Sequence, residues 1–569
     1  MKWRSQTNDS DKAISFAALA RLDRRLFHFA AITVLTVLAY LPSLTGGFVF
    51  DDQSLVRDNR YIREFHSLSS YLAQEDGIVG EEDKGELHTG YYRPLINITY
   101  SLDFKLWGLE AAGFRLTNLI LHLLTCFLLY EVILLLTGPS PWAFWVTLLF
   151  SLHPVQTEAV SLIVSRNNIL STMFCLLSLY GYGRWWEKRS APALALSLTA
   201  FAAALFSKEF GLMLLPIFFV WQRFLIRKRN WKKEIITYLP YLVIVAVYLF
   251  FRHQAVSSAF TVPEDWLRRL FFAPYLVVYN LKLIFLPYNL HSFQVAYPRE
   301  LLAAAPLLAI LVLLVLATGL YATRKHALLL FCGFGFLLSL LPVLNLITKS
   351  SVSLIAMRWL YLPLVFIVIG AAWALGRLPV KRRSLAMALG CVLAAYFAIY
   401  SHILNRNLWH DEDTFLQQEV LHFHNPLYVG DYAERLFQKG QFVPAEHYFA
   451  LTFARDMAKP RDCINYGAFL IETKRPKEAV HILGRAAAMT MIRKDQVDWH
   501  NNMGVAMTLI GDYERACEHL KQALRMNGQN PLLHRNMGIL RSRQGLVAEA
   551  AEHLKITHRL QSNLGPASK

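Results

Sequence analysis

Two adjacent carboxylates, Asp51 and Asp52, follow the first long apolar run of the chain, in the stretch GGFVFDDQSLVRDN at residues 46–59. A carboxylate can accept the proton of an attacking hydroxyl as a general base. A pair of carboxylates can also hold a divalent cation. Because no further metal ligands cluster beside this pair, we expect Asp51 and Asp52 to be catalytic, with no metal site and no cofactor. A bound divalent cation is the alternative.

A second group of charged side chains lies within or beside apolar runs, where charge is costly and usually marks function or mutual pairing. Glu158 and Arg166, eight residues apart on one predicted helix face, could simply pair with neighbours. Lys208 and Glu209 could cap a hairpin. An acid pair that faces several cations across one outer cavity is harder to explain by packing. The group consists of Arg93, His153 and Glu158 (LHPVQTEA), Arg166, Lys208 and Glu209 (FSKEF) and Arg358 (MRWLYLP).

The composition places these residues in a membrane protein. Of the 569 residues, 55% are apolar, and the mean hydropathy of +0.32 is high for a soluble domain. Apolar runs end near residue 404, and the net charge of +17 lies largely in short basic clusters beside them, which does not indicate nucleic acid. We predict a cytoplasmic N-terminal segment 1–26, a transmembrane domain 27–404 with a first outer loop 46–92, and a soluble domain 405–569.

The basic clusters also set the topology, because they mark the cytoplasmic side. Between two neighbouring clusters, the chain must cross the membrane an even number of times. One apolar segment would make that number odd if it also crossed. That segment, 267–286, is amphipathic and carries three basic residues, so we predict that it lies at the interface. About eleven crossings remain, with the N-terminus inside. The loop of Asp51 and Asp52 and the domain 405–569 then share the extracytoplasmic face.

The soluble domain contains an internal repeat. Ala433, Gly467, Gly504 and Gly538 are spaced by 34, 37 and 34 residues, and each is followed twelve positions later by alanine. A 34-residue period with small residues at these positions resembles the tetratricopeptide repeat. We predict about four such repeats in an α-solenoid whose concave groove suits a peptide segment. A scaffold that makes protein contacts without chemistry is the simpler alternative for this domain.

Glycosyl transfer from a lipid phosphate is the chemistry that would use these parts. A carboxylate would take the proton of a hydroxyl as it attacks the anomeric carbon, and fixed cations would stabilise the phosphate that leaves. A lipid tail on the donor would explain a site at the membrane surface. The chain has no GxGxxG, P-loop, GxSxG or HExxH motif, which excludes the commonest soluble enzyme classes.

Six motifs, in order along the chain, resemble the TMTC family and its bacterial relatives. They are FVFDDQSLVRDN, YYRPLINITYSLDFKLWG, FRLTNLILHLL, LFSLHPVQTEAVSLIVSRNNIL, LFSKEFGLMLLP and RWLYLP. The resemblance implies an all-α, polytopic GT-C-type fold followed by tetratricopeptide repeats. It also implies a polyprenyl-phosphate-linked sugar donor, typically dolichyl phosphate mannose in eukaryotic members, and inverting transfer to Ser or Thr of a protein. The chain departs from the family in its short repeat array and in Met357, where the family usually has Glu.

The resemblance also implies roles for individual residues. Asp51 would be the general base, and Asp52 its partner in the acidic pair. Residues at the motif positions YRP, R-x-x-x-L, SKE and R-x-L-Y-L-P would bind the donor phosphate or line the cavity, and they are Arg93, Arg166, Lys208 and Arg358. We place His153, Glu158 and Glu209 in the same cavity.

The expected partners are the lipid bilayer, a polyprenyl-phosphate-linked sugar and an extracytoplasmic acceptor protein that the repeats hold. The expected location is a bacterial inner membrane with the repeats outside, or the endoplasmic reticulum membrane with luminal repeats if the chain is eukaryotic. Two other functions stay open. A ligase or polymerase of lipid-linked glycans would need a large catalytic loop late in the membrane domain, which the sequence lacks. A non-enzymatic membrane scaffold would tolerate the replacement of Asp51 and Asp52 by Asn.

Overall fold

The computed structural model describes residues 6–74, 90–226, 231–256, 266–292, 304–322, 324–344, 355–454 and 458–563. These residues form α-helices joined by short 3-10 and π-helical turns, and they contain no strand. The prediction of an all-α, polytopic helical protein is therefore confirmed. The chain divides into two compact units between Phe415 and Leu416, a little beyond the predicted boundary at residues 404 and 405. The domain assignments and the repeat solenoid stay predictions.

The first unit is built from long helices and shorter segments between them. In chain order they are α1 (Gln6–Leu44), α2 (Leu68–Ala73), α3 (Pro94–Trp107), α4 (Ala111–Thr137), α5 (Trp142–Leu152), α6 (Thr157–Ser161), α7 (Arg166–Lys188), α8 (Ala191–Ser207), α9 (Leu214–Leu225), α10 (Trp231–Ala255), α11 (Trp266–Phe285), α12 (Ala304–Ala322), α13 (Ala327–Leu340), α14 (Tyr361–Gly376) and α15 (Val380–Asn407). The division between the units falls within α16 (Glu412–Gln417).

Within the described residues, six helical stretches are long and apolar enough to cross a bilayer. They are Arg24–Leu44, Ala111–Thr137, Ile236–Ala255, Ala327–Leu344, Met357–Gly376 and Val380–Asn407. A bent pair, Pro154–Ser161 with Ile163–Lys188, makes a seventh if it acts as one span. Four further helices are apolar but shorter, namely Trp142–Leu152, Ala191–Ser207, Phe272–Phe285 and Leu307–Ala322. The count of about eleven crossings and the interfacial position of 267–286 stay predictions.

The bent pair breaks at Leu162. The two helical stretches on either side of Leu162 meet at 102°. Leu162 itself has an extended backbone, with φ −80° and ψ 115°. The expectation that Glu158 and Arg166 share one helix face is therefore wrong. The break persists because side chains from other parts of the first unit bind the peptide groups that it leaves without helical partners.

The loop after α1 packs tightly on the residues that follow α15. A Cβ added to Gly46 would lie 1.7 Å from the carbonyl oxygen of His410, so only glycine fits there. On α15 itself, the side-chain amide of Asn405 donates a 3.0 Å hydrogen bond to the carbonyl of Ala39 on α1. These contacts fix the beginning of the first loop against α15.

The second unit consists of helices that pack as consecutive pairs. Ala445, Ala479 and Ala516 are fully buried between the helices of their pairs. A Cβ added to Gly504 would lie 2.6 Å from Leu520, so the small residues let the helices approach. The pairs are α17 (Val429–Gln438) with α18 (Phe442–Ala454), α19 (Pro460–Glu472) with α20 (Pro476–Ala486), α21 (Arg493–Ile510) with α22 (Tyr513–Met526), and α23 (Pro531–Arg543) with α24 (Val547–Asn563).

Lys474 occupies a turn position at which the other pairs have glycine. Its φ of 63° is left-handed, as are those of Gly440, Gly511 and Gly545 at the same register. A left-handed backbone costs a residue with a Cβ roughly 1–2 kcal/mol. We expect Lys474→Gly to raise the free energy of unfolding by about 1 kcal/mol, measured by thermal denaturation of the purified full-length chain. Gly511→Ala is the matched control and should lower it. A lower unfolding temperature in Lys474→Gly would contradict this account of the turn.

Candidate active site

The acidic pair follows a strained residue. Phe50 has a φ of 51°, in the left-handed region that bulky side chains rarely adopt. Its amide donates a 2.6 Å hydrogen bond to a carboxylate oxygen of Glu412. Its ring centroid lies 5.6 Å from that of Phe415. These contacts hold the strained backbone in place and so fix the direction in which the chain enters Asp51 and Asp52.

Asp52 is completely buried and faces the break at Leu162. Its two carboxylate oxygens accept hydrogen bonds from the backbone N–H groups of Ile163, at 3.2 Å, and Val164, at 2.9 Å. Burial raises the pKa of Asp52 to about 7, although the charge of Arg115 and these two hydrogen bonds lower it. Because both oxygens accept backbone hydrogen bonds, Asp52 holds the first loop against the break. Its role as the partner of Asp51 in catalysis stays a prediction.

Arg115 on α4 binds backbone carbonyls on both sides of the site. Its Nε donates to Ser161 at 3.0 Å, next to the break. Its terminal nitrogens donate to Ser43 and Gly47 at 2.5 Å each, and to His410 at 3.1 Å. Arg115 is 1% exposed. One buried guanidinium therefore joins the end of α1, the first loop, the broken segment and the residues after α15.

Asn118, one turn further along α4, also binds backbone groups at the break. Its side-chain amide lies within hydrogen-bond distance of the carbonyls of Val160, Leu162 and Ile163, at 3.2, 3.4 and 3.4 Å. Its oxygen accepts a 2.7 Å hydrogen bond from Arg166. We did not select Arg115 or Asn118 from the sequence. The signal was present, because both are polar side chains within the apolar run of α4.

Arg166 has partners inside the helical bundle. It is fully buried and forms an ion pair with Asp103 on α3. It also donates to the carbonyls of Phe114, at 3.0 Å, and Thr99, at 3.3 Å. The structure thus ties Arg166 to α3 and α4, together with Asn118, and pairs it with Asp103. Its assignment to the donor cavity stays a prediction.

Asp51 lies near an ion pair between Glu158 and Arg358. The fully buried Glu158 accepts hydrogen bonds from the backbone N–H of Arg358, at 3.0 Å, and from its guanidinium, at 2.5 Å. Burial raises the pKa of Asp51 to about 6, while the charge of Arg358 lowers it and that of Glu158 raises it. The side chain of Asp51 itself is only half-buried. It combines partial exposure with a pKa close to neutrality, as a general base requires.

Arg93 and Glu209 form a second ion pair in the same region. Arg93 donates to both carboxylate oxygens of Glu209, at 3.2 and 2.9 Å, and its guanidinium lies 4.1 Å from the ring centroid of Tyr91. The bidentate contact fixes the plane of the guanidinium. Glu209 therefore orients Arg93 in the way that Glu158 orients Arg358.

Lys208 connects the two ion pairs electrostatically. Its Nζ donates a 2.6 Å hydrogen bond to Asn168 and lies 3.8 Å from the ring centroid of Phe210. Burial holds the pKa of Lys208 well below its usual range, and the positive charges of Arg93 and Arg358 lower it further. The three cations Arg93, Lys208 and Arg358 are thus close enough to influence one another, and an arriving anion would relieve their mutual repulsion.

His153 is engaged elsewhere. Its Nε2 donates to the carbonyl of Ile284 at 2.9 Å, its Nδ1 accepts the N–H of Val155 at 3.2 Å, and its ring packs on Phe397. Both ring nitrogens have protein partners, and the assignment of His153 to the cavity stays a prediction. Within the part of the chain that the structure describes, no three His, Cys, Asp or Glu side chains come together as a metal site requires.

Known proteins match the part of the chain that carries this cluster. Residues 92–253 match the family described as Dolichyl-phosphate-mannose-protein mannosyltransferase. Protein O-mannosyl-transferase Tmtc3 of Drosophila melanogaster is 31% identical over 232 residues, which cover 36% of this chain and 25% of the fly protein. The matches support a TMTC-like family. Human protein O-mannosyl-transferase TMTC3 is 31% identical over 189 residues, which cover 33% of this chain and 20% of the human protein. Protein O-mannosyl-transferase F38B6.6 of Caenorhabditis elegans is 30% identical over 186 residues, 32% of this chain and 26% of the worm protein.

The chain spans about a quarter or less of the length of these relatives. The family match covers Arg93, Lys208 and Glu209 but neither the acidic pair nor Arg358. The assignment of Asp51 and Arg358 to the same site as the matched segment therefore depends on the geometry of the ion pairs.

The contacts of the acidic pair predict that substitution of Asp52 destabilises the fold more than substitution of Asp51. Asp52→Ala would leave the N–H groups of Ile163 and Val164 without their acceptor, at about 1–3 kcal/mol for each buried group. We expect a lower unfolding temperature and a lower yield of the purified chain. Asp51→Ala, the matched control, should unfold close to the wild-type temperature. Equal unfolding temperatures for Asp52→Ala and the wild type would show that the carboxylate of Asp52 does not hold the break.

Proposed function

We propose that this chain is a membrane glycosyltransferase that moves a hexose, with mannose as the first candidate, from a polyprenyl-phosphate donor to Ser or Thr of extracytoplasmic proteins. The observation that carries the proposal is the partly exposed Asp51, beside an ordered group of cations. Further support comes from the relatives, which are named protein O-mannosyl-transferases.

The reaction is a single displacement with inversion. The acceptor hydroxyl attacks the anomeric carbon while Asp51 takes its proton, so that a new C–O bond forms on one face of the sugar. The bond from the anomeric carbon to the phosphate oxygen breaks on the opposite face, and its electron pair leaves with the polyprenyl phosphate. Asp51, with a pKa of about 6, is mostly ionised at neutral pH and needs no cofactor to accept the proton.

Arg93, Lys208 and Arg358 bind the phosphate and stabilise the negative charge that it gains as it leaves. The buried Lys208 regains its proton affinity when the anion arrives, because the phosphate offsets the repulsion from the two arginines. Glu158 and Glu209 keep Arg358 and Arg93 in fixed orientations, so that little reorganisation is needed during the reaction.

The location and the acceptor form part of the same proposal. The chain resides in a bacterial inner membrane with the second unit outside, or in the endoplasmic reticulum membrane with that unit in the lumen. The helix pairs of the second unit are tetratricopeptide repeats that hold the acceptor protein, and stacked pairs of this kind present extended binding surfaces.

Asp51→Asn removes the proposed base and retains the size of the side chain. We expect O-linked hexose to disappear from a set of Ser and Thr sites, measured by glycoproteomics of extracytoplasmic proteins at matched abundance of the membrane protein. Asp58→Asn is the control, because Asp58 is an exposed acid in the same loop, paired with Arg57. If the glycans persist in Asp51→Asn and the variant rescues a deletion strain, Asp51 is structural and the chain acts as a scaffold.

The raised pKa of Asp51 predicts a particular pH dependence. An exposed Asp ionises near pH 4, whereas burial raises the pKa of Asp51 to about 6. A base must be deprotonated, so we expect kcat/KM of the purified enzyme to rise with pH through about 6 and then level off. A rate that stays constant from pH 5 to 8 would exclude Asp51 as the base that titrates in the free enzyme.

A further inference from the structure

Two pairs of histidines occupy equivalent positions in the last two helix pairs of the second unit. His500 on α21 faces His519 on α22, and their Nδ1 atoms lie 2.9 Å apart. His534 on α23 faces His553 on α24, with 3.0 Å between the Nδ1 atoms. Both pairs have a sequence separation of 19 residues, and corresponding members lie 34 residues apart. All four side chains are half-buried.

The preceding helix pair shows that the fold does not require these histidines. At the same two positions, α19 has Cys463 and α20 has Ile482. Cys463 is fully buried, and the two helices pack closely without an imidazole pair. The histidines therefore need an explanation other than closure of the helix pair.

The hydrogen bond of the second ring nitrogen of His534 determines its tautomer. Nε2 lies 3.0 Å from the carbonyl oxygen of Gly528, which can only accept, so Nε2 carries the proton. A neutral His534 then presents the lone pair of Nδ1 to His553. Metal-binding histidines are commonly oriented in this way, by a hydrogen bond from the other ring nitrogen to a backbone carbonyl.

The remaining rings are also suited to bind a metal in their neutral form. Burial lowers the pKa of His500, His519 and His553, and in His500 and His553 the partner histidine lowers it further. A neutral imidazole is the form that coordinates a metal ion. Around His553, the nearby charges of Glu552 and Glu549 raise its pKa while Arg541 lowers it.

The nitrogen separations allow one ion to bridge each histidine pair. Two nitrogens at about 2.0–2.1 Å from a metal lie roughly 2.9 Å apart when they subtend a right angle, and roughly 3.4 Å apart in a tetrahedron. The observed 2.9 and 3.0 Å are hydrogen-bond separations close to both values, so a small rotation of the rings lets each pair hold one ion. For nitrogen ligands of this kind, Cu²⁺ binds more tightly than Zn²⁺.

We propose that each histidine pair binds one divalent transition-metal ion through its two Nδ1 atoms, with Cu²⁺ preferred to Zn²⁺. Each ring turns so that the two lone pairs converge on the ion, and the proton of His553 moves from Nδ1 to Nε2. Among the described residues no third His, Cys, Asp or Glu completes either site, so water fills the other positions. The ion links α21 to α22 and α23 to α24, and it stabilises the folded unit because the unfolded chain lacks the paired site.

The test uses the full-length chain in detergent, without a histidine tag. Cu²⁺ is added in excess, loosely bound metal is removed by gel filtration, and copper per chain is measured. His519→Ile and His553→Ile each introduce the residue type that stands at position 482. We expect each variant to lose about one copper equivalent relative to the wild type, and the double variant about two. Cu²⁺ should raise the unfolding temperature of the wild type but not that of the double variant.

Two controls separate these sites from other histidines and from misfolding. His481→Ile changes an exposed histidine on α20 and should leave the copper content unchanged. His519→Gln and His553→Gln keep a polar side chain and should lose copper as the Ile variants do. Electron paramagnetic resonance of the wild type should show two nitrogen ligands for each ion. Equal copper content in the wild type and the double variant would overturn the proposal, as would a signal without nitrogen ligands. Tighter binding of Zn²⁺ than of Cu²⁺ would overturn the assigned preference.

Discussion

The first unit depends on how the backbone is satisfied at the break after α6. A helix that turns by 102° leaves N–H and C=O groups without helical partners, and such groups are costly when they are buried away from water. Asp52 binds the N–H groups, while Arg115 and Asn118 bind the C=O groups. The same three side chains join the first loop and α4 to the broken segment. Because Asp51 is the neighbour of Asp52, its position follows from that connection.

The buried ion pairs contribute orientation more than stability. Removing two charges from water costs several kcal/mol for each ion, and the attraction between the partners often only offsets that loss. Glu158 with Arg358, and Asp103 with Arg166, are therefore weak evidence for a stable fold. They do fix two guanidinium groups in single positions. For Arg358 that position is beside Asp51, whereas for Arg166 it is between α3 and α4.

Much of the architecture could be predicted from the sequence, because apolar runs and small residues at a 34-residue period are local signals. The acidic pair and the cations Arg93, Lys208 and Arg358 could be selected because charge beside apolar runs is rare. The break could not be predicted, since no Gly or Pro lies next to Leu162 and the partners of its peptide groups lie more than 40 residues away in sequence. The partners of His153 and Arg166, Ile284 and Asp103, are likewise distant in sequence and could not be predicted.

The adjacency of Asp51 and Asp52 constrains how this loop can evolve. Successive residues of a helix point about 100° apart, so two neighbouring carboxylates that begin a helical turn cannot face the same way. One meets the peptide groups of the break, and the other meets the cations. A residue inserted between Phe50 and Asp51 would rotate both carboxylates by about 100°, so that neither keeps its surroundings, and a deletion would remove one of them. We therefore expect related sequences to differ at the beginning of this loop by substitutions. Insertions and deletions should occur only in its later part.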